Sequence, residues 1–249
     1  MIRALDESGM LSTVASIYGY LIILLEVLFG LFLAKKMKIK WWHALLIVGC
    51  EYTMRLTVTP LLRWLEGVIV GEMAGLALTR IYLFVVPIYI LVFRLLKIDF
   101  SRGLDFVATL YLFSQGLIHF ACSFTGCCCG KITESGMWNP FMKCYVFPTN
   151  VYDGLTHLFF FLLVVFFLIA KKWDGGGKIY PVLLLVHGFS RFFWDFFRRG
   201  EKTLLNLTVL QIWAIVLMFA GIVWLYLKML DEEKKEKKSL RPTTSHRKK

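Results

Sequence analysis

Charged side chains interrupt several of the long apolar runs in this sequence. Arg191 and Asp195 stand four residues apart in HGFSRFFWDFF, and Glu51 and Arg55 have the same spacing in CEYTMRLT. On a helix, each pair lies on one face and can form an ion pair. An ionisable side chain within a membrane helix is costly and must face the protein interior, so it is a functional-site hypothesis by default.

Two histidines lie in the same kind of surroundings. His119 ends the apolar segment LFSQGLIH, and His187 stands one helical turn before Arg191. Histidine can accept a proton near neutral pH or, once protonated, can contact a phosphate. Either residue could therefore be a general base, and the alternative is a polar side chain that is hydrogen-bonded inside a helix bundle.

The stretch CSFTGCCCG, residues 122–130, concentrates four cysteines in nine residues. Zinc sites use spaced pairs such as C-x2-C, and three consecutive cysteines fit this spacing poorly, so we predict no metal. A disulfide from the triplet to Cys144 and free thiols in a tight turn both remain open. In the second case Gly126 and Gly130 would let backbones and lipid headgroups approach closely.

The elements that carry these residues are long apolar segments. Of the 249 residues, 58% are hydrophobic, and the mean hydropathy is +0.65. A membrane-spanning helix needs about 20 mostly apolar residues. The sequence predicts an all-α integral membrane protein with about seven transmembrane helices, at residues 11–34, 42–62, 75–96, 104–125, 151–170, 179–197 and 206–227.

Lysine and arginine are unevenly distributed between the two sets of loops. One set, which includes the C-terminal tail, carries 18 such residues, and the other set carries 7. Positive loops stay in the cytoplasm, so we expect the N-terminus outside, the C-terminus inside, and the cysteine stretch at the outer end of the fourth span.

The chain is predicted to hold one transmembrane domain, residues 1–229, followed by a basic, disordered cytoplasmic tail, residues 230–249. The tail contributes much of the net charge of +12 and is expected to contact anionic lipid rather than nucleic acid. There is no signal-peptide pattern, internal repeat or nucleotide-binding motif, and no cofactor is implied.

Three stretches, read in order, resemble the prolipoprotein diacylglyceryl transferase family. They are HFACSFTGCCCG (119–130), FPTNVYDGLTHLFFFLLV (147–164) and VHGFSRFFWDFFRRGE (186–201). QIWAIVLMFAGIV (211–223) is also similar to the last helix of that family, so the resemblance covers mainly residues 115–225.

The resemblance implies an enzyme of lipoprotein biosynthesis in the bacterial cytoplasmic (inner) membrane. Such enzymes transfer a diacylglyceryl group from phosphatidylglycerol to the lipobox cysteine thiol of a secreted lipoprotein precursor at the outer leaflet. A thioether forms and glycerol phosphate leaves. The expected partners are therefore phosphatidylglycerol, lipoprotein precursors and membrane lipid.

The resemblance also implies roles for individual residues. Arg191 would bind the phosphate, Asp195 would orient Arg191, and His119 or His187 would be the base. His119 stands where the family has arginine, which is a departure from its pattern. The remaining pocket residues would be Tyr152, Asp153, Asn150, Gly126 and Gly130.

Glu51 and Arg55 have no counterpart in the family pattern, and the early histidine-glycine-glycine stretch of the family is absent. Arg55 or Arg80 could supply the cation that is missing at His119, and with Glu51 we include Arg55 among the substrate-binding candidates. Two alternatives follow from these departures. One is a relative that binds lipid but has lost or changed the transfer, and the other is a small-solute transporter with these charges along its path.

Overall fold

The computed structural model describes residues 1–70, 85–128, 130–170, 176–199 and 206–239. Arg80, Cys129 and residues 240–249 therefore lie outside the described residues, as does the side chain of Arg55. Within the described part, the elements in chain order are α1 (Ile2–Glu7), α2 (Leu11–Lys36), α3 (Trp41–Val70), α4 (Val86–Leu96), α5 (Phe100–Thr125), β1 (Ile132–Asn139), β2 (Cys144–Val146), α6 (Thr149–Ala170), α7 (Ile179–Asp195) and α8 (Val209–Ser239).

Four of these helices are long and apolar enough to cross a membrane: Leu11–Lys36, Phe100–Thr125, Thr149–Ala170 and Val209–Lys237. They coincide with the predicted first, fourth, fifth and seventh spans. The prediction of an all-α, multi-pass membrane protein is therefore confirmed at this level. Helices α3, α4 and α7 occupy the other three predicted positions, although α4 and α7 are only 11 and 17 residues long.

Helix α5 is the central helix of the bundle. Of its most apolar window, 72% is buried inside the protein, against 33% or less for the other three long helices. It begins after Asp99, whose side chain accepts a hydrogen bond from the Arg102 amide at 2.9 Å. It ends at Gly126, whose φ of 71° is a left-handed conformation that suits glycine. The helix ends are therefore specified locally, and the helix between them is surrounded by neighbours.

A short β-hairpin lies between α5 and α6, where the sequence predicted only a loop. Strands β1 and β2 pair in antiparallel fashion. Asn139 closes the turn, because its Oδ1 accepts hydrogen bonds from the amides of Phe141 and Met142 at 3.0 and 2.8 Å. Its Nδ2 donates to the carbonyl of Gly126 at 2.9 Å. One side chain thus fixes the hairpin to the end of α5.

Helix α1 contacts the same hairpin through Asp6. Its carboxylate accepts hydrogen bonds from Lys143 Nζ at 2.7 Å and from Trp138 Nε1 at 3.1 Å. The N-terminal residues, which were predicted only as polar, therefore pack on the loop that follows α5.

Helix α8 continues to Ser239, although a disordered tail was expected from residue 230. Its final turns carry lysine and acidic residues at i, i+4 spacing. Lys235 pairs with Asp231 at 2.8 Å and Lys237 pairs with Glu233. Such pairs stabilise an exposed helix modestly, which explains why the charged segment extends the helix.

Candidate functional site

A single buried carboxylate, Asp153, is the centre of the site. It lies in the first turns of α6 and has no solvent exposure. Arg198 Nη2 donates to its Oδ2 at 2.8 Å, and Arg191 Nη1 lies 3.3 Å from the same oxygen. Both arginines are themselves almost fully buried. Two guanidinium groups therefore converge on one carboxylate, so positive charge is in excess among the described residues of this cluster.

Further polar groups complete the surroundings of Asp153. Its Oδ1 accepts a hydrogen bond from Ser190. His119 Nε2 lies 3.3 Å from Oδ2, and His157 Nδ1 lies 3.5 Å from Oδ1. Helices α5, α6 and α7 thus each contribute to one polar cluster inside an apolar bundle.

The hydrogen bonds of His157 assign the protons of two histidines. His157 Nδ1 is 2.8 Å from the backbone carbonyl of Asp153, and a carbonyl can only accept, so this nitrogen carries the proton. Neutral His157 therefore accepts at Nε2, where His187 Nδ1 donates at 3.0 Å. The remaining ring nitrogen of His187, Nε2, then holds a basic lone pair.

Two glycines let α5 and α6 approach closely at this level. A Cβ placed on Gly154 would lie 2.9 Å from the carbonyl oxygen of Gly116 and 3.2 Å from His119 Cβ. A Cβ on Gly116 would lie 2.5 Å from Leu158 Cγ. Small residues at this crossing therefore bring His119 within contact distance of Asp153.

Gly130 positions Arg198, which follows the end of α7. The two residues form an isolated β-bridge, and the neighbouring Lys131 amide donates to the Phe197 carbonyl at 2.9 Å. A side chain at Gly130 would not fit, since its Cβ would lie 2.5 Å from the Phe147 carbonyl oxygen. Gly130 was predicted to allow a close approach of backbones. In the structure, that approach places the buried side chain of Arg198.

Asn150 supports the site through hydrogen bonds to α5. Its Nδ2 donates to Ser123 Oγ at 2.7 Å and to the His119 carbonyl at 3.2 Å. Thr149 Oγ1 donates to the Cys128 carbonyl at 2.8 Å. The predicted substrate-binding Asn150 is therefore a link between α5 and α6, and Gly126 acts through the hairpin rather than in the cluster.

Asp195 does not orient Arg191 as expected. It accepts a hydrogen bond from Thr208 Oγ1, and Thr208 in turn interacts with Gln211 at the start of α8. Arg191 pairs with Asp153 on α6 instead. The i, i+4 spacing allowed Arg191 to pair with Asp195. The packing of α6 against α7 decided that it pairs with Asp153.

Tyr152 points away from the polar cluster. It is 39% exposed and stacks on Trp194 and Phe147 with ring centroids 5.0 and 5.4 Å apart. Trp194 also donates to Thr156 Oγ1 at 3.2 Å. These rings form an aromatic shelf on the outside of α6 and α7.

Glu51 lies in a different part of the bundle. It is fully buried on α3, which packs against α2. The polar cluster around Asp153 is instead formed by α5, α6, α7 and the residues that follow α7.

A groove lies near the site on the other side of α5. It has a volume of about 400 Å³ and is bordered by α2, α3 and α5 through Ser16, Gly19, Tyr20, Ile22, Ile23, Tyr52, Ile118 and Ala121. Tyr52 donates to Glu26 at 2.6 Å. Its mainly apolar lining is suited to an acyl chain.

The described cysteines are free thiols, so of the two alternatives left open by the sequence, a disulfide to Cys144 and free thiols in a tight turn, they show the second. Cys122 is buried in the last turn of α5, and Cys127 and Cys128 follow Gly126. Hydrogen bonds from Cys122 and Cys127, together with the charges of Arg191 and Arg198, hold the pKa of the Cys128 thiol well below its usual value. The turn therefore brings the sulfur atom of Cys128 near Arg191 and Arg198.

His157 and Arg198 were missed by the sequence analysis. His157 follows Asp153 by four residues and so lies on the same helix face, a spacing that could have revealed it. Arg198 lies beyond the end of α7, and no helical spacing predicts its contact with a residue 45 positions earlier.

His119, Asp153 and His157 offer ligand atoms within 4.8 Å of one another. A metal ion there would face the guanidinium groups of Arg191 and Arg198 at close range. The two positive charges oppose a cation held by these three residues together.

Comparison with known proteins agrees with this chemistry. The sequence model of the family described as prolipoprotein diacylglyceryl transferase matches residues 73–227. This range is more than half of the chain and includes every residue that contacts Asp153. No protein of curated function matches the chain.

Proposed function

This chain belongs to the prolipoprotein diacylglyceryl transferase family, and we propose that it transfers a diacylglyceryl group from phosphatidylglycerol to the lipobox cysteine thiol of a prolipoprotein. The product is a thioether at the outer leaflet of the bacterial cytoplasmic membrane. The family is one of transferases in lipoprotein biosynthesis. The donor lipid, the acceptor and the residue roles are parts of the proposal.

The observation that carries the proposal is the pair of arginines on Asp153. Burying ions among apolar helices is unfavourable unless they are paired. Among the described residues, Arg191 and Arg198 share the carboxylate of Asp153. A phosphate diester would supply the missing negative charge, so the site is suited to an anionic lipid headgroup.

Arg198 has a donor available for such a headgroup. Its Nε is buried and has no hydrogen-bond partner among the described residues. As the bond between the glycerol carbon and the phosphate oxygen breaks, negative charge develops on the leaving glycerol phosphate. Arg191 and Arg198 would stabilise that charge, and the planar, permanently charged guanidinium is well suited to phosphate. Arg198 would then offset the departure at His119, where the family has arginine.

The thiol of the incoming cysteine must lose its proton before it attacks, because the thiolate is the nucleophile. His187 Nε2 holds a basic lone pair at the end of the His157–His187 hydrogen bond. We assign the proton to this histidine pair, with His119 as a positioning residue beside Asp153. The sulfur then bonds to the glycerol carbon, the carbon–oxygen bond breaks, and the phosphate takes the electron pair.

The topology of the proposal follows the loop charges. Seven spans in residues 1–229, with the N-terminus outside, put α1, the hairpin and the Asp153 cluster at the outer leaflet. A basic C-terminal tail would remain in the cytoplasm. The groove between α2, α3 and α5 would then accept an acyl chain from the same leaflet.

The test is transfer of labelled diacylglyceryl from phosphatidylglycerol to a lipobox peptide by the purified protein. We expect Arg191→Ala to lower the rate by about 10²- to 10³-fold, and Arg191→Lys to restore it only in part. Arg199→Ala is the matched control, since Arg199 is exposed and contacts only Met142 Sδ at 3.7 Å among the described residues.

A folded wild-type protein that binds phosphatidylglycerol but transfers nothing would contradict the proposed reaction. It would favour instead a family member that binds lipid without this transfer. Equal rates for Arg191→Ala and Arg199→Ala would contradict the assignment of the phosphate site.

A further inference from the structure

The end of α5 folds three cysteines back towards His119. Cys122 is in the last helical turn, Gly126 ends the helix, and the chain reverses so that Cys128 returns to Cys122. One ring nitrogen of His119 and the sulfur atoms of Cys122 and Cys128 all lie within 4.8 Å of one another. Linear spacing had argued against a metal site, but the reversal places ligands together that are not evenly spaced in sequence.

Cys127 joins this group from the solvent side. Cys127 is the neighbour of Cys128 in the chain and is exposed, and Thr125 Oγ1 lies 3.1 Å from its sulfur. Three thiols and one imidazole are thus gathered at one turn. This is the ligand set of a Cys3His zinc site.

His119 has a ring nitrogen available for such a site. The residue is 2% exposed, and its Nδ1 has no hydrogen-bond partner among the described residues. Its other nitrogen, Nε2, lies 3.3 Å from Asp153 Oδ2 and 3.4 Å from Arg191 Nη2, which can only donate. We assign the proton to Nε2 on the shorter contact, with the carboxylate, and this leaves Nδ1 for a metal. A histidine that donates one N–H to a carboxylate and leaves its other nitrogen bare is the usual arrangement behind a bound metal.

The backbone at Cys128 is held in an unusual conformation. Its φ of 57° is in the left-handed region, where side chains other than glycine are uncommon. Thr149 of α6 fixes this conformation by donating to the Cys128 carbonyl at 2.8 Å. This hydrogen bond anchors the turn that carries the Cys128 thiol.

We propose that Cys122, Cys127, Cys128 and His119 Nδ1 bind one soft divalent metal ion, with Zn²⁺ as the fitting ion. The ligand atoms need shifts of about 1 Å, since sulfur atoms around a tetrahedral zinc lie about 3.8 Å apart for Zn–S bonds of about 2.3 Å. Three thiolates and Zn²⁺ carry one net negative charge. The guanidinium groups of Arg191 and Arg198 lie near that charge.

The site would be structural. All four coordination positions are protein ligands, which is typical of structural rather than catalytic zinc. It would fix the turn between α5 and the hairpin, and through His119 it would fix one wall of the Asp153 cluster. The proposal is independent of which lipid or acceptor the transferase uses.

The first experiment measures the metal content of the purified, full-length protein in detergent after incubation with Zn²⁺ and exhaustive dialysis. We expect about one equivalent per chain, and loss of that equivalent in Cys122→Ser and in Cys128→Ser. Cys50→Ser and Cys144→Ser are the matched controls, because these described cysteines lie on α3 and β2, and both variants should keep the metal.

A second measurement uses Co²⁺ as a spectroscopic probe. Tetrahedral thiolate coordination should give an intense near-ultraviolet sulfur-to-cobalt band that Zn²⁺ displaces. Its intensity should fall in Cys127→Ser and in His119→Ala. If a serine variant fails to fold, the wild-type spectrum still decides the question.

Two results would overturn the proposal. One is a wild-type protein with no more metal than Cys122→Ser and no cobalt–thiolate band. The other is a disulfide from Cys122 or Cys128 in peptides mapped without reduction. Both measurements are separate from the transfer assay, so failure of the metal proposal is distinguishable from failure of the proposed reaction.

Discussion

Asp153 and Asp105 are both fully buried aspartates, but their charges are compensated in different ways. Asp105, on α5, accepts hydrogen bonds from the backbone amides of Gly177, Ile179 and Tyr180 at 2.6, 2.9 and 3.3 Å. These amides form the N-terminus of α7, where a negative charge is favourable. Asp153 is instead surrounded by side chains, among them Arg191 and Arg198.

The difference separates a structural carboxylate from a functional one. Backbone amides at a helix start cannot leave without unfolding the helix, so Asp105 holds α5 to α7 permanently. Guanidinium groups can rotate towards another anion, so the partners of Asp153 can be shared with a substrate. Buried charge alone therefore does not identify a site, whereas exchangeable partners do.

The largest effect is expected for Asp153→Asn. Removing one partner of a buried ion cluster costs about 3–5 kcal/mol of stability, because two arginines lose their counter-charge. Phosphatidylglycerol should restore part of the lost thermal stability, since its phosphate replaces the carboxylate, whereas zwitterionic phosphatidylcholine should not. Thermal unfolding with each lipid measures this, and equal recovery with both lipids would count against an anion site.

Arg198→Ala tests whether a partner of Asp153 also contributes to catalysis. A hydrogen bond to a charged group contributes about 1.5–3 kcal/mol, so we expect the transfer rate to fall about 10- to 100-fold. Arg199→Ala, one residue away and exposed, should stay within about twofold of wild type. Similar rates for the two variants would mean that Arg198 only balances the charge of Asp153.

Asp105→Asn should reduce stability without changing the chemistry. Buried amides that lose their acceptor cost about 1–3 kcal/mol, and the start of α7 should exchange its amide hydrogens faster. The transfer rate per folded molecule should not change, and no lipid should restore the stability. Loss of transfer in fully folded Asp105→Asn would contradict its structural role.

Gly154→Ala tests whether close helix packing assembles the site. The added methyl would lie 2.9 Å from the Gly116 carbonyl oxygen, and overpacking of this kind costs about 1–3 kcal/mol. Because the methyl also reaches His119, transfer and stability should both fall. Gly49→Ala is the control, since nothing lies within 4 Å of a Cβ there.

A third aspartate, Asp6, should show the smallest effect, because it pairs at the surface. The hydrogen bond from Lys143, aided by Trp138, lowers the pKa of the Asp6 carboxyl. A lowered folded-state pKa means that the contribution is complete above the usual value of 3.8 and is lost as the pH falls through the folded-state value. The protection of residues 132–146 against hydrogen exchange, relative to the intrinsic rate at each pH, should therefore fall at low pH in the wild type. In Asp6→Asn it should be reduced at neutral pH and should approach the wild-type value at low pH.

Much of the fold was predictable because it depends on local sequence. The described parts of the long apolar runs are helical, and Gly126 ended α5 where a glycine follows the last turn. The hairpin was not predictable, because Asn139 closes it through contacts with its own turn and with Gly126, and isolated short strands carry little periodic signal. The charged end of α8 was misjudged because its i, i+4 ion pairs outweigh its polarity.

The sequence predicted which residues belong to the site better than it predicted how those residues contact one another. Arg191, His119, His187 and Asp153 were identified as candidates, and the structure gathers these four together. Glu51 had the same credentials as a buried charge but lies on α3, which packs against α2. Asp195 had the right spacing to pair with Arg191 and pairs with Thr208 instead.

The sequence by itself determined the chemical class and the helices, because apolar run length, loop charge and motif residues are properties of short segments. Only the tertiary structure decided which charges meet. Arg198 reaches a carboxylate 45 residues away, and His119 meets Arg191 across 72 residues. Such contacts depend on where glycines let helices approach, and no single segment contains that information.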